Sequence, residues 1–591
     1  MRTTTILLIA MSGSVFGCGG ASSASSGATG AGGGIETGGN GGGNTGDIAA
    51  LALPPIQDVN NGRFATSPTC KQCHSNSANA TAMRDEKKEP IGFFDLWQAT
   101  MMGGSARDPL WRAVVSAEVA AAPSQKDHIE AKCMRCHAPM GSADAQLAGG
   151  DPVKMTMIGD GTDRGTLALD GVSCALCHQI QPSHLGEDQS FSGRYVIDAV
   201  GEIYGPHAAP FTMPMKHHTG FTPVQASHVR KSSLCATCHT LETEALDAAG
   251  EPQGMVLPEQ TPYLEWRSSA FNDEGSKPGP KAKSCQGCHV PTDSAAGVPI
   301  ETKIARNPGG FDFPPVSPRT PVGRHLFVGG NTLVPALFIA WPDVLQPQAP
   351  AAAFERVIAL VREQLSSYSV QLTLTEAARD GGEIVVKVRL DNLTGHKFPT
   401  AHPARRAWLR LVVRDKAGGV VFASGAFDAD GRLLDSVGAP LPSEAASGPT
   451  LPHMDVVTGA EKPYVLESVM ADAGGAPTYS LIRGAKYLKD SRLLPQGFAP
   501  SAADAPRVAA VGTSADATFA AGGDEVVYRA AAPAGKGPYS VTATLVYTPL
   551  SARYAAELSR WDTPEVKALF KMLAKVSRAP EIVAEATASV D

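Results

Sequence analysis

Ten of the eleven cysteines in this 591-residue chain fall into five units of one form: two cysteines separated by two residues and followed at once by a histidine. The units are Cys70-Lys-Gln-Cys73-His74, Cys133-Met-Arg-Cys136-His137, Cys174-Ala-Leu-Cys177-His178, Cys235-Ala-Thr-Cys238-His239 and Cys285-Gln-Gly-Cys288-His289. Two thiols three positions apart share one side of a helical turn, where they can reach the two vinyl carbons of one porphyrin. The adjoining imidazole then lies under the iron as its proximal ligand. Three other uses of the pair compete: structural zinc sites, thioredoxin-like redox pairs and disulfides. Zinc ribbons take such pairs in twos and need no histidine after each, and a two-residue gap makes a poor disulfide framework. The pattern predicts five covalently attached haem c groups, each with its iron.

The eleventh cysteine, Cys18, closes Val15-Phe-Gly-Cys18 behind Arg2 and a short apolar run from Ile6 to Met11. That run is too short to cross a bilayer, so residues 1–17 are a processing signal. The tetrapeptide resembles a bacterial lipobox, which implies lipidation of Cys18; an ordinary signal peptide with an incidental cysteine is the alternative. Residues 18–50 are nearly all Gly, Ser, Ala, Thr and Asn, a composition that buries little apolar surface and serves as a tether. The expectation is an exported chain, lipid-anchored at the outer membrane, a sorting suggested by Gly19. A net charge of -7 provides no cationic field to hold nucleic acid.

Some element must hold each motif. Residues 51–345, which contain all five, are rich in Pro, Gly and Asp, and they predict short helices and loops wrapped round cofactors that supply much of the core. A connecting helix is expected over 346–366, where Phe354, Val357, Ile358, Val361 and Leu365 recur at helical spacing. From 367 to 550 the period becomes two. Val370, Leu372 and Leu374 face Ile384, Val386, Val388 and Leu390 across Asp380-Gly-Gly382, a second hairpin turns at Asp415 to Gly419, and Val541 to Tyr547 form a late strand. The class is α+β, a multihaem region followed by an antiparallel β-sandwich. A C-terminal helical segment is expected over 551–591, with Thr563-Pro-Glu565 opening a helix whose apolar stripe runs from Val566 to Val576.

Further stretches carry a resemblance: Trp97-Gln-Ala-Thr-Met-Met-Gly103 with Arg107-Asp-Pro109, Gly171-Val-Ser-Cys174, His325-Leu-Phe-Val-Gly-Gly-Asn331, Gly395-His-Lys-Phe-Pro-Thr400 with Arg405-Arg-Ala-Trp408, and Tyr487-Leu-Lys-Asp490 with Arg492-Leu-Leu-Pro-Gln-Gly-Phe498. With the five motifs, they resemble a family of bacterial pentahaem cytochrome c lipoproteins, loosely related to the multihaem cytochromes of nitrogen-cycle bacteria. The resemblance implies that His325 and His396 lie in haem contact and supply second axial ligands. It also implies a Trp-x-x-Ser-x-His ligand segment, from which this chain departs. The spacing ends on Met102 after Trp97, and on Phe271, which cannot ligate, after Trp266. Met102 or its neighbour Met101 could bind iron and raise its potential, or both could be core filler.

His228, seven residues before Cys235, and His128, five before Cys133, are further candidates by proximity. The remaining histidines are ordinary surface or core residues. The leading function is electron transfer along the haems to redox partner proteins. One alternative is an oxidoreductase using a haem with an open axial face on a small nitrogen or oxygen species. No Cys-x-x-Cys-Lys motif, common in nitrite reductases, occurs. Another alternative makes the β-domain a docking module for a redox partner.

Overall fold

The computed structural model describes residues 48–198, 200–294 and 296–591. The processing signal, Cys18 and nearly all of the tether lie outside the described residues. In the motif region the helices are short: α1 (Ser67–His74), α2 (Phe93–Trp97), α3 (Pro109–Ala121), α4 (Lys126–His137), α5 (Cys174–Cys177), α6 (Ser232–Ala236), α7 (Pro262–Arg267) and α8 (Cys285–His289). Two-stranded sheets pair Glu202–Gly205 with Thr222–Gln225 and Leu241–Leu246 with Pro252–Gln260. The caps are local. Asp108 accepts from the Leu110 and Trp111 amides to start α3, and Ser284 accepts from the Gly287 amide to start α8.

The connecting helix α9 (Ala351–Tyr368) buries Phe354, Val361 and Leu365, one stripe of the expected periodicity. Beyond it lie two larger sheets and a three-stranded one in which Ser468–Ala471 pairs with Pro477–Thr478 and Lys486–Asp490. The first orders β1 (Val370–Asp380), β2 (Glu383–Asn392), β7 (Gly523–Ala531) and β5 (Val456–Val457), the last pairing parallel to β7. The second orders β6 (Val465–Leu466), β3 (Arg406–Arg414), β8 (Tyr539–Thr548) and β9 (Glu581–Val590), with β4 (Val420–Ser424) also on β3. Alternate residues point inward as a period of two requires: Ile384, Val386 and Val388 of β2 join Leu409, Leu411 and Val413 of β3 and Val541, Ala543 and Leu545 of β8 in one apolar core. The turn between β1 and β2 uses Gly381 at φ 58°, a backbone state glycine adopts without steric cost.

The C-terminus corrects the expectation of a purely helical segment. The helix α10 (Pro564–Leu573) is present, with Thr563 accepting from the Val566 amide, but the chain then returns as β9 along β8. Only Val583 and Val590 of β9 are buried, and apart from the exposed Ile582 its other positions are small or polar, so this edge strand lacks the apolar alternation that marks β2 or β3.

Two apolar clusters cross residue 345. One joins Val114 of α3 and Leu337 to Ala404, Tyr554 and Leu569, and the other joins Tyr263 and Trp266 of α7 to Leu494, Phe498 and Val508. Among the described residues no helix is long and apolar enough to cross a membrane.

Candidate functional site

The chain builds one device twice. Trp97, at the end of α2, donates its indole N–H to the carbonyl of Val172 at 2.9 Å, two residues before Cys174. Trp266, in α7, donates to the carbonyl of Lys283 at 2.9 Å, two residues before Cys285. Each indole fixes the entry to a motif whose first cysteine then neighbours another motif: Cys174 lies near Cys70, and Cys285 near Cys235.

Serines three residues before the partner cysteines lock both pairings. Ser67 donates its amide (2.8 Å) and hydroxyl (2.6 Å) to Asp170, and Ser232 accepts from the Cys285 amide at 2.9 Å. The second motif joins through Cys136 against Cys238, and Cys177 lies close to Cys238. The fourth motif is therefore a junction between the first and third on one side and the second and fifth on the other. Neighbouring thiols and burial push Cys70, Cys136 and Cys235 well above the ordinary thiol value, and burial pushes Cys133 and Cys177 up to about 12.

Four motif histidines present Nδ1 to a backbone carbonyl: His74 to Ile304 (2.9 Å), His137 to Ser105 (3.3 Å), His178 to Tyr204 (2.6 Å) and His289 to Val328 (2.8 Å). A carbonyl at Nδ1 sets the ring proton there and leaves the Nε2 lone pair for a metal. Trp111 lies flat on the His137 ring, with centroids 4.4 Å apart and planes 1° apart.

His325 and His396 share this arrangement, through the carbonyls of Gly323 (3.1 Å) and Lys397 (2.9 Å). His325 lies 6.4 Å from His178 between ring centroids, a span that suits two imidazoles flanking one metal ion at about 2 Å each. It also faces His74 across Phe93. His396 stands likewise among the histidines of the fourth and fifth motifs. Its loop packs so tightly on α7 that a Cβ at Gly395 would meet Trp266 at 3.2 Å.

Burial holds His137, His289 and His325 down at about 4 and lowers His74, His178, His239 and His396 as well, so all are neutral near pH 7. All nonetheless keep accessible surface, His239 most of all. Neutral imidazoles whose Nε2 lone pairs are left free fit the axial positions of a metal-centred planar cofactor.

The other candidates separate. His228 is buried beside Tyr204, but its Nε2 lies 2.8 Å from the carbonyl of Ile180, which leaves only Nδ1. His128 is exposed, and at nine residues before His137 it lies across α4 from that histidine. Met101 packs against the apolar cluster around α3 and α10, the filler alternative for that residue. Met102 is half-buried, and its carbonyl accepts from the Val172 amide just before the third motif. His402, unremarked in the sequence, is pushed down to about 3 by burial, and Arg405 adds to the shift. Its Nδ1 accepts from the Ala404 amide at 3.1 Å, which puts the ring proton on Nε2, the reverse of His325 and His396.

The ten cysteines are unpaired, and among the described residues the one convergence of three metal-ligating side chains is His453, Asp516 and Asp524, far along the chain from every motif. The cysteines thus do not gather into zinc-type clusters.

No family model matches the chain, and no curated protein matches it. A solved structure of a penta-haem cytochrome c552 from Thermochromatium tepidum is similar over 89% of this chain and 99% of that one, at 17% sequence identity and a TM-score of 0.49.

Proposed function

We propose that the chain is an exported multihaem cytochrome c that carries five covalently bound haems and passes electrons along them to redox partner proteins. The observation that carries this reading is the closeness of the motifs. Cysteines of different attachment units are near neighbours, so groups bound to them would be close, and the fourth motif links all five. Haem iron supplies one-electron chemistry that no side chain here can provide. The chain's own part is to offer the thiols, fix the tautomer of most of the motif imidazoles through a carbonyl, and keep the rings neutral.

In this reading the two larger sheets are a β-sandwich that helps to complete the electron path. Its loop brings His396 to the fourth and fifth motifs, and His325 serves the third. Lipidation at Cys18 holds the protein at the outer membrane.

A pyridine haemochrome assay should give five haems per chain, and clearly fewer would refute the reading. His325→Ala and His396→Ala should each leave all haems attached, because thioether bonds do not depend on a sixth ligand. Each should convert one iron to high spin and shift one potential. Unchanged spin states and potentials in both variants would make the β-region a bystander. Carbon monoxide binding to the unmodified reduced protein would favour an open, catalytic haem. Cys18→Ser should release the protein from membranes, and continued attachment would remove the lipid anchor from the proposal.

A further inference from the structure

Several buried carboxylates in this protein are met by a guanidinium or an ammonium. Asp490 has Lys397 and Arg492, Glu444 has Arg406, Asp144 has Arg63 and Arg164, and Asp504 has Arg267 and Arg507. Others, such as Asp170, Glu118 and Glu259, are met by hydroxyls and amides, and one pair instead converges on an imidazole. Asp516 and Asp524, with side chains 2% and 1% exposed, have as their ion-pair partner among the described residues only His453, itself 3% exposed. Its Nε2 lies 2.9 Å from Asp516 Oδ2 and 3.6 Å from Asp524 Oδ2. Exposed Asp455 adds a third carboxylate facing the same group. One imidazolium balances one of these charges at most, and leaving buried charge uncompensated is costly.

The surroundings hold the carboxylates in place. Asp516 Oδ1 accepts from the Thr518 amide at 2.8 Å, and Asp524 Oδ1 accepts from the Glu525 amide at 2.8 Å. The Thr518 hydroxyl lies within 2.9 Å of both Oδ1 atoms, and Tyr464 donates its phenol to Asp524 Oδ2 at 2.7 Å. Both Oδ2 atoms are thereby turned toward the imidazole. Tyr464 and Phe519 clamp its ring edge-on, and its Nδ1 is buried without a partner. Anchored outer oxygens with converging inner ones are the usual support for a metal site.

We propose that His453, Asp516 and Asp524 bind one divalent transition-metal ion, of the zinc type, through one imidazole nitrogen and two carboxylate oxygens, with water or Asp455 completing the shell. One nitrogen and two oxygens suit zinc, whereas calcium takes six to eight oxygens. The ion would pin the segment before β5 to the turn before β7, 63 residues apart in sequence at His453 and Asp516. Its role is structural and independent of the haems.

The test uses the full chain with its haems attached, stripped with a chelator, given zinc chloride and passed through gel filtration. Plasma mass spectrometry should find about one zinc per chain, and the thermal midpoint should rise with added zinc. Asp524→Asn should abolish retention, and Thr518→Val, which keeps all ligands, should weaken it about 10- to 100-fold. Replacing an exposed imidazole, as in His217→Ala, should change nothing. Wild-type protein that neither retains zinc nor shifts its midpoint would overturn the proposal and leave a closed ion pair. Equal retention by Asp524→Asn would overturn it too, by moving the metal elsewhere.

Discussion

Replacing Cys235 and Cys238 together by alanine is expected to lower the haem content from five to four per chain and to split rapid reduction by a one-electron donor into separate phases. The fourth motif is the junction: its cysteines lie near Cys136 of the second motif, Cys177 of the third and Cys285 of the fifth. Without it, the first and third motifs keep each other through Cys70 and Cys174, while the second and fifth lose their connection to that pair. The matched control is the pair Cys70→Ala and Cys73→Ala. It also removes one haem, but from a motif whose cysteine neighbour is in the third alone, so the remaining four should stay connected. Stopped-flow reduction of both variants distinguishes the two cases. Wild-type, single-phase kinetics in the fourth-motif variant would refute the junction.

Asp490→Asn is expected to be the most destabilising single change in the β-region, by about 3–5 kcal/mol, the usual result of removing one member of a buried ion pair. Asp490 is fully buried, with Lys397 Nζ at 2.6 Å and Arg492 Nη2 at 2.6 Å, and asparagine would leave two buried cations with Glu265, 3.9 Å from Arg492, as the remaining carboxylate. Despite burial, those two cations hold the Asp490 carboxyl down at about 2, below the value of about 3.9 expected in the unfolded chain. A depressed folded value means that the contribution is complete above the unfolded value and is lost as pH falls through the folded one. Wild-type protein should therefore lose this stability on acidification toward pH 2, and the variant should lack that part of the acid limb. The network also reaches the haem side, because Glu265 of α7 accepts from the Lys397 amide at 2.9 Å and from the Thr400 hydroxyl. His396 should loosen with it. Chemical unfolding of both proteins across pH measures the effect, and a loss below about 1 kcal/mol would place the network among weak surface pairs.

Features set by neighbours along the chain were legible without coordinates. Cys-x-x-Cys-His acts within one helical turn, so attachment chemistry and the number of motifs follow from spacing of three and four residues. Strands with inward Val, Ile and Leu, such as β2 and β3, announce themselves by a period of two, and α9 by one near 3.6. Tertiary structure alone decided which motifs are neighbours, because the pairs join residues from about fifty to more than a hundred positions apart. It also separated histidines that look alike in sequence. His325 and His396 turn Nδ1 to a carbonyl, His228 spends Nε2 on one, His402 accepts at Nδ1, and His128 faces outward. The strand β9 and the cluster of His453, Asp516 and Asp524 belong to the same class. Periodicity and motif spacing record what a residue does with its near neighbours; the partner of a lone imidazole or of a polar edge strand is chosen by the folded chain.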